Sequence, residues 1–125
     1  MPSYAWLEAC ARHYLAGCDP RSPLASPIFG DLRGLPATLI QTGSDEILHG
    51  DSVRLYAALV NAGVAARCEI VLGRWHAFQL HARMLPAADD AIARAAEFIA
   101  HSLWPAAHDE LRRGCPTATA SAAAL

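Results

Sequence analysis

The 125-residue chain has no uninterrupted apolar run near the roughly 18 residues that a membrane-spanning helix needs. Its first residues, Met1-Pro2-Ser3-Tyr4, lack the charged segment and apolar core of a secretion signal. These absences make a membrane partner unexpected and a cytoplasmic location the default. Charge is sparse, at 18% of residues with a net of −2, and the ten basic residues are scattered apart from Arg112-Arg113. No basic stripe offers a footprint for nucleic acid. The same low charge, beside 54% hydrophobic residues, excludes a wholly disordered chain and supplies enough apolar material for one core.

Cysteine is also little used. Cys10, Cys18, Cys68 and Cys115 form neither a CxxC pair nor a dense disulfide pattern, which argues against zinc or redox chemistry. Cys10 and Cys68 are expected as small buried apolar residues, and Cys18 and Cys115 fall in loop-like contexts. His49, His81, His101 and His108 lack HExxH-like spacing, so no metal site is expected. There are no internal repeats.

What is present is an alternation of helical and strand-like segments. Residues 4–15 place Trp6 or Leu7, Cys10, Tyr14 and Leu15 near helical spacing, and Gly17 stops that helix. From Asp19 to Pro36, the density of proline and glycine forbids long regular structure. The interleaved Leu24, Ile28, Phe29, Leu32 and Leu35 imply an ordered loop. Ala37 to Thr42 alternates little, as a strand buried on both faces of a parallel sheet would.

Gly43 to Gly50 is turn-rich. Asp51 or Ser52 could cap a helix carrying Val53, Tyr56, Leu59 and Val60, with Gly63 as its stop. Arg67 to Leu72 alternates, with Cys68, Ile70 and Leu72 on one face and Arg67, Glu69 and Val71 on a wetter one. Strand, helix and strand make a βαβ unit of parallel strands. After a second loop, Gly73 to Pro86, a last helix has Asp89 and Asp90 near its start. Ile92, Ala95, Ala96, Ile99 and Leu103 form its apolar face, and Pro105 ends it. The domain is expected over 1–104 and a disordered tail over 105–125.

In an open α/β sheet, functional groups gather beyond the carboxyl ends of the strands. Asp45 follows the first strand and His76 the second, so both project from one sheet edge despite 31 intervening steps of sequence. A carboxylate beside a histidine fixes one imidazole tautomer and stabilises the imidazolium, as the orienter and general base of a serine hydrolase do. The alternative is that each is an ordinary surface or capping residue, and spacing does not decide. Asp51 reads more readily as a helix cap than as a site residue. Glu46 reads as a supporting acid or a solvated one, and Trp75 and Phe78 as packing or pocket lining.

Four further words narrow the choice: Ser22-Pro23-Leu24-Ala25-Ser26-Pro27, Asp31-Leu32-Arg33-Gly34-Leu35-Pro36, Gly43-Ser44-Asp45-Glu46-Ile47-Leu48 and Trp75-His76-Ala77-Phe78. In this order and spacing they resemble the C-terminal part of the α/β-hydrolase fold (alpha/beta hydrolase fold-3), specifically the hormone-sensitive-lipase-like carboxylesterases. The resemblance implies an α/β fragment with an incomplete sheet, Asp45 as triad acid and His76 as base, a small-molecule ester substrate and no dissociable cofactor. The departure is the nucleophile. The G-x-S-x-G elbow and the glycine-rich oxyanion loop should precede Asp45, and neither occurs. The chain thus reads as the last third of a hydrolase domain, inactive alone. A non-catalytic remnant, or a fragment docking with a separately encoded N-terminal half, is the alternative.

Overall fold

The structure, a computed structural model, describes residues 3–104. The expected tail over 105–125, with Cys115, lies outside the described residues. The first helix, α1 (Tyr4–Leu15), is started by Ser3, whose hydroxyl accepts a hydrogen bond from the Trp6 backbone N–H at 3.3 Å. It buries no residue, and Cys10 is exposed rather than buried as expected. Within the Pro/Gly-rich loop a short 3-10 turn, Pro27–Phe29, is the only helical piece.

The expected βαβ unit is present. Strand β1 (Thr38–Gly43) and strand β2 (Ala66–Val71) pair in parallel, from Thr38 opposite Ala66 to Gly43 opposite Val71. Helix α2 (His49–Asn61) connects them. It starts at His49, ahead of the Asp51 or Ser52 expected as its cap. Asp51 therefore lies in its first turn and pairs with Arg54 at 3.3 Å instead of capping. Gly63, at φ +77°, takes the left-handed conformation that releases the chain towards β2.

Side chains alternate across a strand, so the two faces of this sheet carry different residues. One face presents Ile40 and Ala66, which pack with Leu55 and Ala58 of α2 against buried Leu32, Leu59 and Val64. The other presents Gln41, Glu69 and Val71, and helix α3 (Pro86–Leu103) covers it. The layers are helix, sheet, helix.

Two expectations about faces are corrected here. The face of β2 expected to be wetter is the one beneath α3: Glu69 is only 11% exposed, while Ile70 is 47% and Leu72 79% exposed. Glu69 can be covered because Arg94 of α3 donates to it at 2.9 Å and Gln41 at 3.0 Å, and Arg67 pairs with it. Burial drives its carboxyl up, but those hydrogen bonds and positive charges outweigh this and leave it below the ordinary glutamate range. The buried stripe of α3 is also shifted. Ala88 and Ala91 are fully buried, whereas Ile92, Ile99 and Leu103 are exposed. Two alanines let the helix sit close to Phe78 and let the Ala91 carbonyl accept a hydrogen bond from Gln41 at 2.7 Å.

Leu59 is 2% exposed in the cluster that joins α2 to the sheet. Leu59→Ala is expected to cost about 2–5 kcal/mol, the usual range for a buried leucine that leaves a cavity. Denaturant unfolding of the two proteins side by side gives the difference, and a loss below about 1 kcal/mol would mean that this cluster does not hold the unit together.

Candidate active site

The parallel register sets the C-terminal ends of β1 and β2 side by side, so the loops that follow them meet. Three backbone N–H groups donate across this junction. The Ser44 backbone N–H donates to the Val71 carbonyl at 3.0 Å and that of Asp45 to the Arg74 carbonyl at 2.9 Å. The Gly73 N–H donates to the Ser44 Oγ at 2.8 Å. Gly43 permits this closeness, because a Cβ on it would sit 2.1 Å from the Arg74 carbonyl oxygen. On the far side of His76, Ala77 adopts a left-handed conformation, φ 55° and ψ 35°, and turns the chain into the 3-10 segment Phe78–His81. For a residue with a Cβ that conformation costs about 1–2 kcal/mol. Buried Phe78, packed against Ala88 and Ala91, holds it in place.

The carboxylate brought to His76 is Glu46. Its Oε2 lies 2.8 Å from His76 Nδ1. Asp45, the expected partner, is exposed, and its Oδ1 accepts a hydrogen bond from the Ser44 hydroxyl at 2.6 Å. Among the described residues the hydrogen bond to His76 comes from Glu46, the residue after the expected Asp45. The turn that begins at Ser44 sends the first acid outward and the second inward. Two adjacent acids after a strand-ending glycine were the available signal for Glu46, and spacing alone does not rank them.

The pair is asymmetric. The Glu46 side chain is 6% exposed and that of His76 55%. Burial by itself pushes the Glu46 carboxyl up. Hydrogen bonds from the Thr42 hydroxyl and the His76 ring, the ring's charge, and the Gly43 backbone together outweigh burial and hold it below the ordinary glutamate range. An ionised Glu46 accepts, so the His76 Nδ1 carries the hydrogen. Nε2 takes no hydrogen bond among the described residues and is free to exchange a proton.

The surrounding aromatics are packing. Phe78 is 1% exposed, and Trp75 meets the His81 ring edge-on, with centroids 5.3 Å apart. No serine hydroxyl among the described residues bonds to His76. Nor, among them, does any group of three or more His, Cys, Asp or Glu side chains come together in a way that could hold a metal ion.

A family model described as alpha/beta hydrolase fold matches residues 2–80. Over 93 residues the chain is 44% identical to an acetyl-hydrolase of Streptomyces hygroscopicus, a match covering 74% of this chain and 31% of that protein. It is 42% identical over 93 residues to an esterase of Acinetobacter venetianus, with the same coverage, 74% and 31%. A crystal structure described as an esterase from the bacterial hormone-sensitive lipase (HSL) family aligns with TM-score 0.73 at 40% identity, covering 75% of this chain and 32% of that one. The chain therefore spans about a third of the length of the relatives it matches.

Two measurements test the geometry. Gly43→Ala is expected to destabilise by about 1–3 kcal/mol, as overpacking does, and to break the loop contacts at Gly73 and Asp45. Unchanged amide shifts at those residues would contradict the close approach. The second concerns pH. Because Glu46 is held below its unfolded-state value, it contributes stability above that value and loses it as pH falls through the lower folded-state value. The stability gap between the wild type and Glu46→Gln should therefore shrink as pH drops below the ordinary glutamate range. A gap constant with pH would show that the carboxylate gains nothing from its partners.

Proposed function

The chain belongs to the alpha/beta hydrolase fold family, among its hormone-sensitive-lipase-like members, and from that premise we propose that it carries the acid and base of a serine carboxylester hydrolase. The observation that carries this reading is the 2.8 Å Glu46–His76 contact, with the His76 side chain half exposed at the carboxyl end of a parallel sheet. Family resemblance on its own favoured Asp45 as the acid. The contact favours Glu46, and Asp45 then serves the loop through its bond to Ser44.

In the intact site, a serine from sequence outside this chain would attack the ester carbonyl. His76 Nε2 takes its proton, Glu46 steadies the resulting imidazolium, and the alcohol leaves with the proton handed back by His76. Water then releases the acid by the same route. Small or medium acyl esters fit the acetyl-hydrolase and esterase names of the relatives. The chemistry calls for no dissociable cofactor.

A second reading, a fragment that docks with a separately encoded N-terminal half, is favoured by a specific observation. Among the described residues the sheet has two strands only, with exposed Ile70 and Leu72 at the β2 side.

The pure 125-residue chain is expected not to hydrolyse a short-chain p-nitrophenyl ester. Mixed with, or fused behind, the G-x-S-x-G-bearing portion of a related esterase, it should restore hydrolysis. His76→Ala then abolishes the activity. Glu46→Gln lowers kcat on the order of 10²–10⁴-fold, while Asp45→Asn keeps most of it. Loss on Asp45→Asn with survival on Glu46→Gln would return the acid's role to Asp45.

A further inference from the structure

Gln41 stands inside β1 on the face that α3 covers, where a polar side chain costs stability unless its bonding groups are matched. Three separate elements match them. Its amide nitrogen donates to Glu69 Oε2 of β2 at 3.0 Å and to the Ala91 carbonyl of α3 at 2.7 Å. Its amide oxygen accepts from Gln79 Nε2, in the short 3-10 segment after His76, at 3.4 Å. These partners lie 28, 50 and 38 residues away in sequence. One side chain thus joins both strands, the last helix and the segment that follows the histidine.

We propose that Gln41 is a positioning residue for His76: it fixes where α3 sits along the sheet and, through α3 and Gln79, where the His76 loop lies. The inference rests on the reading of His76 as the base, and not on which acid serves it. Three features carry it. First, α3 meets the sheet through Ala88 and Ala91, whose small side chains make shallow ridges and leave its axial position loosely set. A hydrogen bond is directional, so one from β1 to a single α3 carbonyl sets that position. The Arg94–Glu69 tie differs, because a long arginine stem can follow a sliding helix whereas a backbone carbonyl cannot. Second, the same two alanines enclose Phe78, two residues after His76 and 1% exposed. A slide of α3 moves the wall against which the loop is set. Third, Ala77 between them is held left-handed at φ 55°, a conformation disfavoured by roughly 5–30-fold for a residue with a Cβ. The backbone relaxes there unless it is anchored downstream. Its anchors are Phe78 and Gln79, and both lead back to Gln41.

The test is amide hydrogen exchange on the full chain. It is read at Leu80, whose N–H donates to the Ala77 carbonyl at 3.0 Å, and at the β1–β2 ladder. Gln41→Met fills nearly the same space without the hydrogen bonds. It should speed Leu80 exchange about fivefold beyond any change in the ladder, the factor expected from one ordinary hydrogen bond. Arg94→Met, which loosens α3 from Glu69 but leaves the Ala91 bond, should change Leu80 and the ladder by the same factor. Fused behind the G-x-S-x-G-bearing portion of a related esterase, Gln41→Met should lower kcat on the order of tenfold with KM nearly unchanged. If Gln41→Met does not fold, Gln41→Asn, one methylene shorter, decides on the same readouts. Leu80 exchange that rises only in step with the ladder, or an equal excess in Arg94→Met, overturns the proposal. His76→Ala in the fused enzyme separates the two levels of inference. If it abolishes activity while Gln41→Met leaves kcat unchanged, only the role of Gln41 fails. If activity survives His76→Ala, the reading of His76 as base fails.

Discussion

The structure depends on the close approach of two strand ends at Gly43. The missing side chain there lets the Arg74 carbonyl lie where a Cβ would be, 2.1 Å from its position. That closeness allows the Asp45 N–H and the Gly73 N–H to find partners in the opposite loop. Parallel pairing supplies the common edge, and the glycine lets the loop after β2 lie against the end of β1.

Two carboxylates are covered in this small unit, and they are handled differently. Glu69 lies beneath α3 among two arginines and Gln41, and its ties hold helix to sheet. Glu46 meets no arginine among the described residues. Its partners are a hydroxyl, a backbone group and a histidine. An arginine is always charged, so a carboxylate paired with one has nothing to exchange. A histidine gains and loses a proton near neutral pH, so a carboxylate paired with one responds to the ring's state. The chemistry of the partner separates a joint from a site.

How much of this was legible in the sequence differs by element. The parallel βαβ unit was, because a short apolar run, an amphipathic dozen residues and a second strand admit few arrangements. The placement of His76 beyond β2 followed from the same pattern. Which of the two neighbouring acids meets the His76 ring was not legible, because a turn of two residues decides which side chain points inward, and composition is blind to that turn. The face of β2 was misread because alternation ranks residues by polarity, whereas Glu69 is buried through partners from α3 and β1 that are distant in sequence. The stripe of α3 was misread for the opposite reason. Its large apolar residues look like the buried face, but close packing against Phe78 and the Ala91 carbonyl's contact with Gln41 require the small ones.

The strand register also has a consequence for how the site comes into being. Every residue of β1 is paired with the one 28 positions later, so the unit contains a single closure distance. Closing a loop of that size costs entropy that grows only slowly with length, and the helix inside it forms locally and shortens the search. Glu46 and His76 lie just beyond the two strands and share their offset to within two positions, so they meet as the strands pair. The site is therefore not added to a finished scaffold. The same closure that pairs the strands brings its two side chains together.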